Sequence, residues 1–393
     1  MSLLFRYRSA WILFGILLIA ASLRSPITAL GPILEPMSQA LALSPVAAGL
    51  LATLPLLAFA FLSPLSTPVA ARLGIEPALL LALLLLVGGI GLRSVGDVPS
   101  LFVGTAVLGC GIALGNVLLP ALLKLRYPNR IPLLTGAYAM IMGLSATLAS
   151  WFIVPLNQAL GWRGALLSLG LLPVLAVIVW ALCLRGQCHD SAISRPAMVG
   201  RSQPVPALWR HPLAWQVALF MGFNSVVFHT TNTWLPALLT EQGFSLAQAG
   251  RLHGGLHLSG AIAGLLLVPL MRVGLSASTL AAAISLITLL GYVGLWAAPA
   301  QAPIWIGVFG AGSGLILTLA LSFIALRANS PLQAVALSAM VQSCGYLMAA
   351  VGPVLFGGLF AWSGSWHALL PLWWGLLLCT ALFGALAGRE RTL

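Results

Sequence analysis

Long, uninterrupted apolar runs decide what this sequence can fold into. The run "ALLLALLLLVGGIGLR" at 78–93, for example, carries one charged residue, at its end. Hydrophobic residues make up 60% of the 393 residues and charged residues only 6%, whereas a soluble domain has about 25% charged residues. Such a chain cannot cover a water-facing surface of ordinary size. It is predicted to be an all-α polytopic membrane protein, because its apolar runs are continuous, unlike the alternating strands of a membrane barrel.

Twelve apolar segments are long enough to cross a hydrocarbon layer that is about 30 Å thick. They lie at 9–34, 45–70, 77–94, 100–124, 132–156, 164–184, 212–239, 246–271, 275–297, 302–326, 333–360 and 367–387. A long polar segment separates the sixth from the seventh. The pattern predicts twelve transmembrane helices in two six-helix bundles, 1–184 and 211–393, joined by a cytoplasmic linker at 185–210.

The positions of the basic residues indicate how the helices are oriented. If the N-terminus is cytoplasmic, the loops on that side receive all but four of the 18 Lys and Arg residues, as the positive-inside rule requires. Arg93 and Arg163 fall on the opposite side, and Arg24 and Arg251 fall inside predicted spans. We therefore expect a protein of the bacterial inner membrane with both termini in the cytoplasm. The net charge of +12 does not indicate nucleic-acid binding, because the basic residues stand singly at the ends of apolar runs.

The two predicted bundles share a sequence pattern at a shift of about 200 residues. "LSPVAAGLL" at 43–51 matches "FSLAQAGRL" at 244–252, which aligns Gly49 with Gly250. "GCGIALGNVLLPALLKLR" at 109–126 matches "GAGSGLILTLALSFIALR" at 310–327, which aligns Gly111 with Gly312. Several matches in the same order indicate two related parallel bundles. This is transporter architecture, in which the substrate site lies near the middle of the membrane between the halves.

Five segments resemble the cyanate and 2-nitroimidazole transporter family of the major facilitator superfamily. They are "LRSPITALGP" at 23–32, "LLATLPLLAFAFLSPL" at 50–65, "GIALGNVLLPALLK" at 111–124, "NSVVFHTTNTWLPALL" at 224–239 and "VQSCGYLMAAVGP" at 341–353. The resemblance covers nearly the whole chain and is greatest for the nitroimidazole-exporter branch. It implies the major facilitator fold, alternating access, a monomer and a small-molecule or small-anion substrate.

One loop departs from the superfamily pattern. The loop after the second helix usually reads G-x-L-x-D-R-x-G-R, but here 67–75 reads "TPVAARLGI". Arg72 and Gly74 are kept, whereas Ala71 occupies the acidic position. Arg72, Gly74 and, in the second half, Arg272 are the expected gating residues. The ion pair that the acidic residue supports in the family is in doubt here.

Arg24 points most directly to a substrate. It lies about 15 residues into the first span, which at about 1.5 Å per residue puts it about 20–23 Å from the cytoplasmic end. A charge inside the hydrocarbon is costly and is usually functional. The carboxylates of the predicted spans and their loops lie near helix ends, at Glu35, Glu76, Asp97 and Glu241. An anionic or strongly polar substrate group is therefore the expected partner of Arg24, held by two hydrogen bonds if it is planar.

Further polar or aromatic side chains at a similar depth complete the predicted substrate site. They are Asn116, Tyr138, Asn224, His229, Trp234, His257, Gln342 and Tyr346. His229 and His257 are also candidates for proton coupling, because histidine titrates near physiological pH and no carboxylate is expected at mid-membrane. For each residue, an interhelical hydrogen bond or core packing is the alternative interpretation.

No metal or cofactor is expected. "HGGLH" places His253 and His257 on one helix face but lacks the glutamate of zinc proteases and an evident third ligand, and the glycine-rich segments lack the G-K-[ST] of a nucleotide loop. The cysteines have no metal-ligand spacing and are expected to be free thiols. They are Cys110, Cys183, Cys188, Cys344 and Cys379.

The leading hypothesis is a secondary transporter for a small anionic or polar solute, such as a cyanate-like anion or a nitro-bearing azole. A second hypothesis is an exporter of neutral planar aromatics, with Phe223, Trp234 and Tyr346 available for stacking. A passive anion channel is a third hypothesis. A membrane enzyme is disfavoured, since no nucleophile–base pair stands at depth. The substrate, the direction of transport and the coupling ion stay open.

Overall fold

The computed structural model describes residues 2–62, 65–127, 130–185, 208–329 and 331–391. The α-helices in these ranges are α1 (Ser2–Thr28), α2 (Leu30–Leu41), α3 (Pro45–Leu62), α4 (Ser66–Leu73), α5 (Ile75–Arg93), α6 (Val98–Arg126), α7 (Ile131–Ser168), α8 (Leu171–Arg185), α9 (Pro212–Glu241), α10 (Leu246–Leu265), α11 (Leu267–Met271), α12 (Ala277–Ala297), α13 (Ala302–Arg327), α14 (Pro331–Ser363) and α15 (Leu370–Ala387). In the described ranges, 9 helical stretches are long and apolar enough to cross a membrane.

One of these stretches contains two crossings. The stretch 136–185 is 50 residues long, about twice what one span needs. Gly161 divides it, because its φ of 69° kinks the chain inside α7, and glycine adopts a positive φ without steric cost. The fifth and sixth predicted spans therefore meet at this kink.

The first predicted span is longer in the structure than 9–34 and is broken. The helix ends at Thr28, and α2 continues from Leu30 to Leu41. Pro26 lies just before this break, and proline removes a backbone donor and crowds the preceding turn. The break therefore comes only one turn beyond Arg24.

Two of the helices that carry predicted site residues are absent from the 9 apolar stretches. They are α9, with 30 residues, and α10, with 20 residues. The polar side chains that lower their hydropathy are mostly buried, as for Asn224, Asn232 and His253. Buried polar groups inside a membrane bundle are typical of helices that line a substrate pathway.

Equivalent glycines of the repeat occupy equivalent helix crossings within each half. A methyl group added at Gly111 on α6 would lie 2.5 Å from the carbonyl oxygen of Ala82 on α5. A methyl group at Gly312 on α13 would overlap the hydroxyl of Thr288 on α12. Small residues such as these glycines let paired helices approach closely in membrane bundles. The repeat is therefore one of structure as well as of sequence.

A second pair of repeat glycines lies where the two halves meet. Gly49 on α3 packs against the backbone of Pro353 on α14, and Gly250 on α10 packs against Ser150 on α7. The crossings α3–α14 and α7–α10 are thus related by the repeat. They form the main contact between residues 2–185 and residues 208–391.

Arginines at matching ends of α6 and α13 tie neighbouring helices together. Arg126 forms an ion pair with Glu76 at the start of α5, with its Nε 2.9 Å from Glu76 Oε1. Arg327 donates from Nε to the carbonyl of Ala387 at 3.0 Å and from Nη2 to that of Gly388 at 2.9 Å, at the end of α15. The repeat therefore conserves the position of the cation but changes its acceptor.

Breaking the Arg126–Glu76 pair should lower thermal stability. The side chain of Arg126 is 32% exposed and that of Glu76 is 11% exposed, so Arg126→Gln should cost about 1–2 kcal/mol, between the values for surface and buried pairs. The melting temperature in detergent measures the effect. The exchanged pair Glu76→Arg with Arg126→Glu should recover part of the loss, and Arg130→Gln, at an exposed position, is the control. A melting temperature unchanged in Arg126→Gln would show that the pair is energetically neutral.

Candidate functional site

Arg24 projects from the last turn of α1 into the region between the halves. Its guanidinium carbon lies 5.6 Å from the ring centre of Phe228 on α9, a cation–π contact across the halves. Its side chain is partly exposed. Among the described residues, no carboxylate and no hydrogen-bond acceptor pairs with the guanidinium. Its hydrogen-bond donors can therefore bind a ligand.

Three other predicted residues face the same region. His229 on α9, His257 on α10 and Tyr346 on α14 all lie within electrostatic range of Arg24. The Phe228 ring makes edge contacts with the rings of His229 and His257, with ring centres 5.4 Å and 5.8 Å apart, respectively. In the described part of the chain, Nε2 of His257 is buried without a hydrogen-bond partner. One cation, two imidazoles and a phenol thus lie near one another in the region between the halves.

Asn116 and Tyr138 approach this region from the first half. Asn116 is half-buried on α6, next to Gly115, where a methyl group would lie 2.5 Å from the Leu23 side chain on α1. Tyr138 is half-buried on α7, within electrostatic range of Tyr346. Both residues therefore lie on helices next to those that carry Arg24, His229, His257 and Tyr346.

Three predicted site residues use their polar atoms in hydrogen bonds to neighbouring protein groups. Asn224 donates to the Ser313 carbonyl at 3.4 Å and accepts from its hydroxyl at 3.1 Å, which joins α9 to α13. Trp234 donates to the Pro353 carbonyl at 3.0 Å. Gln342 donates to Ser338 at 2.8 Å, within α14. Their role in substrate binding stays a prediction, and their hydrogen bonds fit the alternative structural role.

The predicted gating residues lie at the end of the bundle that carries the chain termini. Arg72 on α4 and Arg272 at the end of α11 are exposed. Gly74 joins α4 to α5 with a φ of 88°, which glycine adopts readily. The turn therefore requires Gly74 whether or not the arginines take part in gating.

The opposite end, called the far end here, is where the halves are joined by hydrogen bonds. Within the described ranges, four hydrogen bonds cross between residues 2–185 and residues 208–391. They are Thr53 Oγ1 to Ala350 O at 2.8 Å, Thr147 Oγ1 to Gly254 O at 3.2 Å, Trp151 Nε1 to Arg251 O at 2.9 Å, and Ser150 Oγ with His253 Nδ1 at 3.0 Å. We call this set of contacts, with the packing of Gly49 and Gly250, the far-end gate.

His253 lies at the centre of the far-end gate. Its Nε2 is 2.8 Å from the backbone carbonyl of Asn232, and its Nδ1 is 3.0 Å from the hydroxyl of Ser150. A carbonyl only accepts, so Nε2 carries a proton, while the Ser150 hydroxyl that contacts Nδ1 also lies 2.9 Å from the Ala146 carbonyl. The imidazole therefore links α7, α9 and α10. The i, i+4 spacing with His257 indicated a shared helix face, whereas the partners of His253 come from the tertiary structure.

Replacing His253 with alanine should loosen the far-end gate. It leaves the buried Asn232 carbonyl without this partner, at a cost of about 1–3 kcal/mol, whereas the Ser150 hydroxyl keeps its bond to the Ala146 carbonyl. We expect spin labels at Ala40 and Glu241, on opposite halves at the far end, to show a larger population of long distances. Ser150→Ala, which removes one of the two bonds, should have a smaller effect. Unchanged distances in both variants would contradict a gating role.

Two cavities follow one another inwards from the far end. An outer cavity of about 830 Å³ is lined by both halves, including Glu35 on α2 and Glu241 on α9. A smaller inner pocket of about 10 Å³ lies deeper, with room for about one water molecule. The two share Gly31 and Thr233 in their walls, and the inner pocket also reaches His229.

Arg93 lines this inner pocket, and sequence reasoning missed it. The sequence places Arg93 at the end of the predicted span 77–94, on the side opposite the N-terminus, but the side chain turns inward and is only 1% exposed. Its Nη1 donates to the Pro26 carbonyl at 2.9 Å. A position at the end of an apolar run does not distinguish a charge that snorkels to water from one that turns inward.

Residues 10–353 match the family model described as Major Facilitator Superfamily. The chain belongs to the major facilitator superfamily. It is a multi-pass membrane transporter of the secondary type and not an enzyme, and the prediction of two pseudo-symmetric six-helix halves is confirmed.

Relatives of this superfamily member include two transporters of Escherichia coli K12. The 2-nitroimidazole transporter is 47% identical over 96% of this chain and 95% of its own. The cyanate transport protein CynX is 27% identical over 94% of this chain and 96% of its own. Among solved structures, a bacterial homologue of the human lysosomal transporter Spinster, inward-facing and unoccupied, has a TM-score of 0.77 at 16% identity, over 98% of this chain and 97% of that one.

Proposed function

We propose that this protein moves a small planar polar or anionic solute across the bacterial inner membrane by alternating access, with Arg24 as the substrate-binding cation. The observation that carries the proposal is the open guanidinium of Arg24, which has no protein acceptor in the described part of the chain. A charge at this depth in a membrane-spanning helix is costly without a partner. A substrate group that supplies the missing negative charge compensates it.

A nitro-bearing azole is the first candidate substrate. A nitro group presents two coplanar oxygens that match the fork of a guanidinium. The rings of Phe228 and Tyr346 near Arg24 offer faces or edges to an aromatic ring. The high identity to a 2-nitroimidazole transporter supports the same class.

A small anion such as cyanate is the second candidate. The observation that favours it is the charge itself, since the described residues supply no carboxylate to neutralise Arg24. A full negative charge compensates the Arg24 cation better than the partial charges of a nitro group. The more distant similarity to a cyanate transport protein fits this candidate.

Alternating access requires that the far-end gate opens while the opposite end closes. The moving units are the predicted bundles 1–184 and 211–393, and most of the linker at 185–210 lies outside the described residues. The glycine crossings at Gly49 and Gly250 permit close contact without interlocking side chains. We take the termini to be cytoplasmic and the working unit to be a monomer.

Proton coupling is assigned to His229 and His257. An anion bound at Arg24 lies beside both imidazoles, so a proton on either one stabilises the anion further. Anion and proton then bind cooperatively, and by linkage each raises the affinity for the other. Uptake of the anion into liposomes containing a pH-sensitive dye measures whether a proton accompanies it.

Transport by purified protein in liposomes tests the proposal. We expect saturable uptake of 2-nitroimidazole, weak or no uptake of imidazole, which lacks the nitro group, and competition by cyanate. Counterflow of preloaded substrate distinguishes a carrier from a channel. If imidazole and 2-nitroimidazole were taken up equally, the nitro group would have no role in substrate recognition. Arg24 would then have no role in it either.

A further inference from the structure

Arg93 is a buried cation that binds the backbone of another helix. Its Nη1 donates to the carbonyl of Pro26 at 2.9 Å, while Nε and Nη2 have no hydrogen-bond partner among the described residues. No carboxylate in those ranges forms an ion pair with it. A buried charge destabilises a protein unless it is compensated, so packing alone would favour an apolar side chain here. The bond to Pro26 is the interaction that an apolar side chain could not supply.

The Pro26 carbonyl lies at the C-terminal end of α1. The last four carbonyls of a helix have no donor within that helix, and Pro26 is among these residues because α1 ends at Thr28. The amide of Ala29 donates to the carbonyl of Ser25 at 3.1 Å, and Arg93 supplies the donor for the next carbonyl. The C-terminal end of a helix also carries partial negative charge, which favours a cation beside it. Arg93 thus caps α1, and the helix end compensates part of its charge.

The cap connects the turn that carries Arg24 to a closely packed part of the first half. Arg24 and Pro26 lie in the same last turn of α1, where the Thr28 hydroxyl donates to the Arg24 carbonyl at 3.1 Å. On the other side of the bond, a methyl group added at Gly104 on α6 would lie 2.7 Å from the Cα of Arg93. The backbones of α5 and α6 are therefore in direct contact where the Arg93 side chain begins.

This bond differs from the contact that Arg24 makes across the halves. The guanidinium of Arg24 lies 5.6 Å from the ring centre of Phe228, which belongs to the second half, so relative movement of the halves changes that contact. The bond from Arg93 to Pro26 joins two helices of the first half. Movement of the halves as rigid units leaves it in place.

We propose that Arg93 is a positioning residue for Arg24. By capping α1 immediately before its break, it fixes the direction from which the Arg24 guanidinium meets the substrate in every state of the transport cycle. The effect on substrate binding rests on the proposed function, whereas the cap on α1 does not.

Hydrogen exchange of the segment 24–34 in substrate-free protein tests the cap. Arg93→Met fills a similar volume without a charge or a donor, so the amides at the end of α1 should exchange about tenfold faster than in wild type. Arg93→Lys keeps a cation that can donate to the carbonyl and should restore slow exchange. Thr105→Val, which alters another side chain of the inner pocket, is the control. Exchange unchanged in Arg93→Met would overturn the proposal.

A double-mutant cycle tests whether Arg93 acts through Arg24. Arg93→Met should weaken binding of radiolabelled 2-nitroimidazole to the purified full-length protein about tenfold, the effect of losing one bond of the fork. Cyanate, measured by competition, should be affected less, since a point charge tolerates a changed direction. In the Arg24→Gln background, Arg93→Met should cause no further loss. An equal loss in both backgrounds would show that Arg93 acts independently of Arg24, and would overturn the proposal.

Failure of the proposed function gives a different result. If Arg24→Gln binds 2-nitroimidazole like wild type, Arg24 is not the substrate cation, and faster exchange in Arg93→Met still establishes the cap on α1. If Arg93→Met does not fold, Arg93→Gln, which is shorter and uncharged, takes its place in both experiments.

Discussion

Arg24→Gln is expected to lower substrate affinity by about 10- to 100-fold and to lower the initial uptake rate by a similar factor at substrate concentrations well below those that saturate the wild type. Glutamine keeps a polar side chain but removes the charge and the two-pronged donor. A hydrogen bond to a charged group contributes about 1.5–3 kcal/mol, and about 1.4 kcal/mol corresponds to a tenfold change in affinity. The contact with Phe228, 5.6 Å from the guanidinium carbon, is also lost.

Initial rates of 2-nitroimidazole and cyanate uptake in liposomes measure this effect. Arg24→Lys is the matched control, because it keeps the charge and loses the fork. We expect Arg24→Lys to retain more cyanate uptake than 2-nitroimidazole uptake, since a point charge suffices for a small anion. Melting temperatures must show that each variant is folded. Wild-type kinetics in folded Arg24→Gln would make Arg24 a structural residue and move the search to α9, α10 and α14.

Gly49→Ala is expected to hold the far-end gate open and to lower transport by at least tenfold. The added methyl group would lie 2.8 Å from the carbonyl carbon of Pro353 and 2.9 Å from the Cα of Val354. These are backbone atoms, which cannot turn away as a side chain can. Overpacking of this kind destabilises a structure by about 1–3 kcal/mol. Here it destabilises only the closed state of the gate. The population therefore shifts to states in which α3 and α14 are apart.

Alkylation of a cysteine at Asn232 reports on the gate. Asn232 is 6% exposed and lines the inner pocket, so an impermeant maleimide applied from the far side reaches it only when the gate opens. In a background without native cysteines, Gly49→Ala should speed the labelling about tenfold, in line with the shift expected from its cost. Gly255→Ala is the control, because a methyl group there meets nothing within 4 Å. Equal labelling and transport in both variants would show that the crossing is too loose to act as a gate.

The course of the helices could be predicted from the sequence almost throughout. Apolar runs about 20 residues long leave few alternatives in a membrane, where every backbone group must be paired within a helix. The differences lie at prolines and glycines. The break between Thr28 and Leu30 and the kink at Gly161 depend on local backbone geometry, which hydropathy does not describe.

The candidate site could be predicted only in part, and Arg24 and Arg93 show why. Arg24 stands within an apolar run, so its depth alone marked it as buried. Arg93 stands at the end of a run, where a long side chain can reach water or turn inward, and only the packing of α5 against α1 and α6 determines its direction. Asn224 is a different case. The sequence predicted its depth in the membrane but not its hydrogen bonds to Ser313.

The sequence by itself determined the membrane class, the repeat of two six-helix halves, the family and the one charge in the middle of a span. These follow from composition, period and depth, which are properties of residues along one helix. The tertiary structure alone decided which polar groups face one another, as with Ser150, His253 and the Asn232 carbonyl. It also decided which charges are buried without a counter-ion. Such pairings depend on how each helix is rotated about its axis, and the small side chains that set the rotation are spread over helices far apart in the chain.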